Sequence, residues 1–135
     1  MSYESRKGYV AEYLVQQYLR EIEPKSVRPR AGGPQDVGDI TGLPLVVSVK
    51  NHARLELSTW VDALPRMTKS ASLPTGVVWH KRQGRGHPRD WYVTTTGGLF
   101  MPLLQAFVNE WEVVDDDVVV PGAELPQPGR VLRLV

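Results

Sequence analysis

No cysteine occurs among the 135 residues. That absence excludes disulfides, thiolate zinc sites and cysteine nucleophiles, and it fits a reducing compartment. No apolar run approaches the roughly 20 residues that span a bilayer, so no membrane partner is expected. The opening Met1–Lys7 lacks the apolar segment of a secretory signal. Also missing are a Walker loop, a dinucleotide fingerprint and a Ser-His-Asp arrangement. Nor is there a large charge excess: the formal net charge is +1. A nucleic-acid partner must therefore be argued from where the charges lie.

They lie unevenly. Arg6, Lys7, Lys25, Arg28 and Arg30 crowd the start, and Lys81, Arg82, Arg85 and Arg89 crowd a later segment. Asp115, Asp116 and Asp117 offset them near the end. A small net charge can thus conceal a basic face. The three consecutive aspartates read as a solvated turn, because neighbours in extended chain point to opposite sides.

Ala11, Leu14, Val15, Tyr18, Leu19 and Ile22 recur with helical period, so a helix is expected from Tyr3 to about Glu23, ended by Pro24. Glu12 falls on the same line as Leu19, toward the expected sheet. Ser26 to Arg30 reads as a strand and Ala31–Pro34 as a loop. A hairpin follows, carrying Asp39 on its first strand, Gly42-Leu43-Pro44 at its turn and Val46–Lys50 on its second. Ser48 and Lys50 leave one face of that strand. An ammonium on an apolar strand calls for a partner, with Asp39, Asp36 and a phosphate as candidates.

Leu57 to about Ser70 reads as a second helix, capped by Ser58 or Thr59 and bent or shortened by Pro65. Thr75–His80 is a buried strand, Gly84–Pro88 a flexible basic turn and Trp91–Thr95 a returning strand. A third helix, Leu99 to about Asn109, turns Leu103, Leu104, Phe107 and Val108 inward. The order implies an α/β fold, a mixed sheet flanked by helices. Its length suits one domain, 1–110. Residues 111–135 are expected as an extension packed on that domain or on a dimer partner.

Glu12, Asp39 and Lys50 form a candidate divalent-metal site for phosphodiester hydrolysis. Hard oxygen ligands suit Mg²⁺, which is commonly held by one or two carboxylates plus substrate phosphate. The lysine would position water or offset developing charge. His80 and His87, with no carboxylate beside them, make a poor alternative. Trp60, Trp79, Trp91 and Trp111 read as core or interface aromatics.

Arg6-Lys7-Gly8, Glu12, Gly38-Asp39-Ile40 and Val46-Val47-Ser48-Val49-Lys50-Asn51 together resemble the PD-(D/E)xK nuclease superfamily, in particular the Holliday junction resolvase-like proteins of archaea and phages. Gly76–Arg82 and Tyr92-Val93-Thr94 extend the resemblance over roughly residues 5–108. It implies a restriction-endonuclease-like mixed sheet of four or five strands, a homodimer, and Mg²⁺- or Mn²⁺-dependent cutting of branched or duplex DNA. The location implied is the cytoplasm, that of a bacterial host for a phage protein.

Carried over by position, Asp39 is the motif aspartate, Lys50 the motif lysine, Glu12 the helical carboxylate and the Val49 carbonyl a further metal ligand. Arg6, Lys7, Arg28, Arg30, Lys81, Arg82 and Arg85 are the expected DNA contacts. Ser48 stands where the pattern has Glu or Asp. A carboxylate about 4 Å from a cation is worth on the order of 4 kcal/mol per charge pair at an effective dielectric near 20. Its loss leaves three outcomes: Asp36 or Glu56 substitutes, the site works weakly at high metal concentration, or binding survives without catalysis.

Overall fold

Ser2 opens the first helix, its Oγ accepting from the Ser5 N–H at 3.1 Å, in the computed structural model, which describes residues 2–28, 37–113 and 132–134. The chain divides into two units, 1–100 and 101–135. In the first, α1 (Tyr3–Leu19) is followed by β1 (Val46–Lys50), α2 (Leu57–Asp62), α3 (Leu64–Ala71), β2 (Gly76–His80), a 3₁₀ turn at Pro88–Asp90, and β3 (Tyr92–Thr94). Helix α4 (Gly97–Glu110) begins there and continues in the second unit, where β4 (Trp111–Val113) pairs antiparallel with β5 (Leu132–Leu134).

The α1 stripe buries Ala11, Val15, Gln16 and Leu19, but the helix stops short of Glu23. Gln16 Nε2 and Arg20 Nε both donate to the Ser26 carbonyl, at 3.1 and 2.8 Å. This draws the chain back before another turn can form, and Ile22 is left exposed. Of the strand expected at 26–30, the described part shows a single antiparallel bridge, Val27 to Thr41. Arg30, Asp36 and the loop at 31–34 lie outside the described residues, as do Asp115–Asp117.

Among the described residues the sheet has three strands, where the resemblance implies four or five, in the order β1-β2-β3, parallel then antiparallel. Ile40 bridges Val47 on the other edge of β1, so two isolated bridges extend the sheet toward Val27. Ser48 lies opposite Val78, Val49 opposite Trp79 and Lys50 opposite His80. Alternation then separates the faces. Trp79 meets Tyr18 of α1 edge-on at 6.0 Å, which puts α1 over the face of Val47, Val49, Val77 and Trp79. Val46 and Val78 pack with Trp60, Val61, Leu64 and Met67, so α2 and α3 cover the opposite face, the one that also carries Ser48, Lys50 and His80.

The helix expected at 57–70 is two helices, broken at Ala63. Pro65 has no N–H to continue the ladder and sits instead in the first turn of α3, where that donor is not needed. Neither Ser58 nor Thr59 caps α2; Glu56 occupies the cap position without a side-chain bond. In α4, Leu103 is half-buried, whereas Leu104, Phe107 and Val108 are exposed rather than inward.

The turn expected to be flexible is tied at both shoulders. Trp79 Nε1 donates to the Pro88 carbonyl at 3.0 Å and Trp91 Nε1 to the Arg85 carbonyl at 2.8 Å.

Gly42 places the hairpin against the 25–26 turn. Its φ is +91°, and a Cβ there would stand 2.5 Å from the Lys25 carbonyl oxygen. Gly42→Ala should lower stability by more than about 1 kcal/mol, read as a reduced urea midpoint, because both the dihedral and the backbone contact oppose a side chain.

Candidate functional site

Asp39 is positioned by the free edge of β1. Its N–H donates to the Val47 carbonyl at 2.7 Å, and its Oδ2 accepts from the Val49 N–H at 2.6 Å. The carboxylate thus takes the place of the next rung of a strand. In a strand the carbonyl of a residue points to the same edge as its N–H, so the Val49 oxygen faces the Asp39 side.

Lys50 follows at the end of the strand, half-buried, on the face of Ser48 and His80. Among the described residues it makes no ion pair. Two contacts gather other segments at this end of β1. The Lys50 carbonyl accepts from the Lys81 N–H at 2.9 Å, and Asn51 Nδ2 lies 3.5 Å from the Lys7 carbonyl. The start of α1, the end of β1 and the start of the basic loop therefore meet.

Glu12 does not stand open toward this group. Arg28 Nη2 and Nε both donate to its Oε2, at 2.7 and 3.1 Å, and the guanidinium lies 4.1 Å over the Tyr9 ring. Arg28, expected as a DNA contact, is engaged within the chain. The pair is only about a quarter exposed, and it ties the Val27 bridge to α1. The helix bearing Glu12 covers one face of the sheet, while the Lys50 side chain leaves the other. The structure brings Asp39, Val49, Lys50 and Asn51 together with the Lys7 and Lys81 backbone, and holds Glu12 in a separate pair.

Ser48, 1% exposed, is packed in the face covered by α2 and α3, and its Oγ has no hydrogen-bond partner among the described residues. Glu56 is exposed at the start of α2. The two expected histidines are in structural use. His80 Nε2 is 2.8 Å from Thr94 Oγ1, with its ring against Trp60 and Tyr92. His87 Nδ1 accepts from the Arg89 N–H and its ring meets Tyr18 edge-on. Burial holds the His80 imidazole below the usual histidine pKa.

No group of three or more His, Asp or Glu suited to a metal occurs among the described residues. Among the described residues, the hard oxygens at this end of β1 are the Asp39 carboxylate, which already accepts from the Val49 N–H, and the Val49 carbonyl. That set fits Mg²⁺, which keeps several waters and takes substrate phosphate as a ligand, and it is too small for a cage built of protein alone. Residue spacing carries no sign of the Tyr9–Arg28–Glu12 stack or of the Asn51 contact, since both join residues far apart in the chain. Comparison with protein-family models, curated proteins and solved structures finds no match to this chain.

Two outcomes test this geometry. Ser48→Ala removes an unpartnered buried hydroxyl and should leave stability equal to wild type or higher by up to about 1 kcal/mol in urea unfolding. For His80 the folded pKa is the lower one, so below pH 6.5 the unfolded chain binds the extra proton. Stability should fall as pH drops from the unfolded pKa toward the folded one, then level. His80→Phe should flatten that part of a plot of unfolding free energy against pH; an unchanged slope would place the titration elsewhere.

Proposed function

We propose that this chain is a metal-dependent, structure-selective DNA endonuclease of the Holliday junction resolvase-like kind, acting as a homodimer. The reading is carried by one observation: the Asp39 carboxylate is fixed 2.6 Å from the Val49 N–H, at the strand edge that also presents the Val49 carbonyl, with Lys50 next in sequence. The Asp39 carboxylate closes the edge of β1 while the Lys50 side chain leaves the face shared with Ser48 and His80, so this reading needs a phosphate that bridges from the edge to that face.

Asp39 and the Val49 carbonyl would hold Mg²⁺ or Mn²⁺, which supplies a polarised phosphate and an acidified water. Lys50 orients the attacked phosphate and offsets negative charge in the transition state. The Lys7 carbonyl, near the start of α1, meets Asn51 just past the end of β1, and Arg6 and Lys7 are proposed from there as DNA contacts. Twofold symmetry of a homodimer matches the two cuts that a four-way junction requires.

A second reading is favoured by two observations. Ser48 supplies no carboxylate, and the Glu12 carboxylate is bonded to Arg28. On these grounds the chain is a DNA-binding module with the same core whose catalysis is impaired.

Cleavage of a labelled four-way junction with Mg²⁺ or Mn²⁺ separates the two. The nuclease reading expects Asp39→Asn and Lys50→Ala each to lose at least about 100-fold in rate while binding persists. Full activity in both variants would remove the site assignment. Wild type that binds the junction without cutting it, yet cuts after Ser48→Glu in a preparation shown folded by circular dichroism, would establish the impaired module.

A further inference from the structure

The basic segment Lys81–Trp91 begins at the candidate site and is held in one shape. The Lys81 N–H donates to the Lys50 carbonyl, so the segment leaves the sheet directly beside the end of β1. Its course is then fixed by its own bonds. Arg85 N donates to the Arg82 carbonyl, Trp91 N to the Pro88 carbonyl, and the two indoles of Trp79 and Trp91 donate to the Pro88 and Arg85 carbonyls. His87 caps the 3₁₀ turn through the Arg89 N–H. These bonds use main-chain atoms and leave the guanidinium groups of Arg82, Arg85 and Arg89 outside the scaffold.

The cations outnumber the carboxylates. Within Lys81–Trp91 the one carboxylate is Asp90, and its contact with Arg89 is long, at 3.9 Å between exposed groups. Arg82 lies 5.2 Å over the exposed Tyr92 ring, which steadies its side chain on the outer edge of β3. At the tip, a Cβ on Gly84 or Gly86 would meet nothing within 4 Å, and Gly84 has a φ of +76° that favours glycine. The tip is therefore narrow and bare, and another backbone can come close to it.

We propose that Lys81–Trp91 is a preformed clamp for the phosphodiester backbone of DNA, extending the substrate path from Lys50 across the end of β2 to the edge of β3. Planar guanidinium groups match the paired oxygens of a phosphate better than an ammonium does, and three of the four cations here are arginines. Such contacts give affinity and register without reading sequence. The clamp rests on the nucleic-acid part of the proposed function and is independent of cleavage.

The test is equilibrium binding of a fluorescent four-way junction, and of a duplex of equal length, in EDTA, from about 50 to about 200 mM KCl. The combined variant Arg82→Gln, Arg85→Gln, Arg89→Gln should weaken both complexes and reduce the log–log salt slope by about 2 to 3 units. Trp91→Phe keeps every charge but removes the bond to the Arg85 carbonyl. It should weaken binding by about threefold to tenfold at an unchanged slope, since a loosened loop must be ordered on binding. Wild-type slope and affinity in the triple variant overturn the clamp while leaving the nuclease reading intact. Wild type that binds DNA with the expected slope in EDTA, yet does not cut it once Mg²⁺ or Mn²⁺ is supplied, overturns the nuclease reading and leaves the clamp. Absence of salt-dependent DNA binding in wild type overturns both. Displacement of the junction by polyglutamate as readily as by competing DNA overturns the clamp in favour of an acidic protein partner.

Discussion

The end of β1 depends on how its free edge is finished. Val49 presents an N–H to that edge, and an unmet donor in a buried strand costs about 1 to 3 kcal/mol. A third full strand would satisfy it, but the neighbouring segment pairs only at Ile40. The Asp39 side chain supplies the missing acceptor. This solution keeps the sheet short and fixes a carboxylate in the plane of the strands. A structural need and a chemical opportunity are met by the same bond.

The other carboxylate of the expected trio is governed by a different balance. Glu12 and Arg28 sit partly buried, and an unpaired charge there would be poorly solvated. Their bond, with Tyr9 over the guanidinium, anchors the segment preceding the hairpin to α1. Deploying Glu12 on a cation would first require Arg28 to find another anion, and a DNA phosphate is the group that the proposed substrate brings. Until a phosphate draws Arg28 away, the pair counts together with Ser48 toward the impaired module. Buried without a partner, the Ser48 hydroxyl contributes nothing to the fold that an alanine would not.

Periodicity made α1, β1 and β2 legible, because each is set by which side chains must be buried. The apolar period of α1 survives as Ala11, Val15 and Leu19, and the run Val46–Lys50 lies in the strand that it suggested. Several illegible features share one cause: a side chain bonding a main-chain atom some six to ten residues away. Gln16 and Arg20 on Ser26 shorten α1, Asp39 closes the edge at Val49, and the indoles of Trp79 and Trp91 turn a glycine-rich stretch into an ordered loop. Glycine content suggested freedom there because the chain shows no periodic mark of an indole donor. In α4 the apolar period did indicate a helix, but not what covers it: no residue of that helix is buried. Period reports amphipathicity, and burial needs a partner surface.

The topology itself argues for this end of the sheet as the working end. β1 and β2 run parallel, so the segments that leave them depart together, and the bond between the Lys81 N–H and the Lys50 carbonyl keeps them side by side. In α/β sheets, ligands are met beyond the carboxyl ends of parallel strands, where loops can vary without disturbing the core. Here the two departing segments differ in kind. One carries Lys50 and Asn51 toward α2, and the other carries the arginine-rich loop toward β3. Under the proposed function, that shared origin sets the carboxylate edge and the arginine-rich loop on one substrate path, with affinity assigned to loop residues and chemistry to β1 residues.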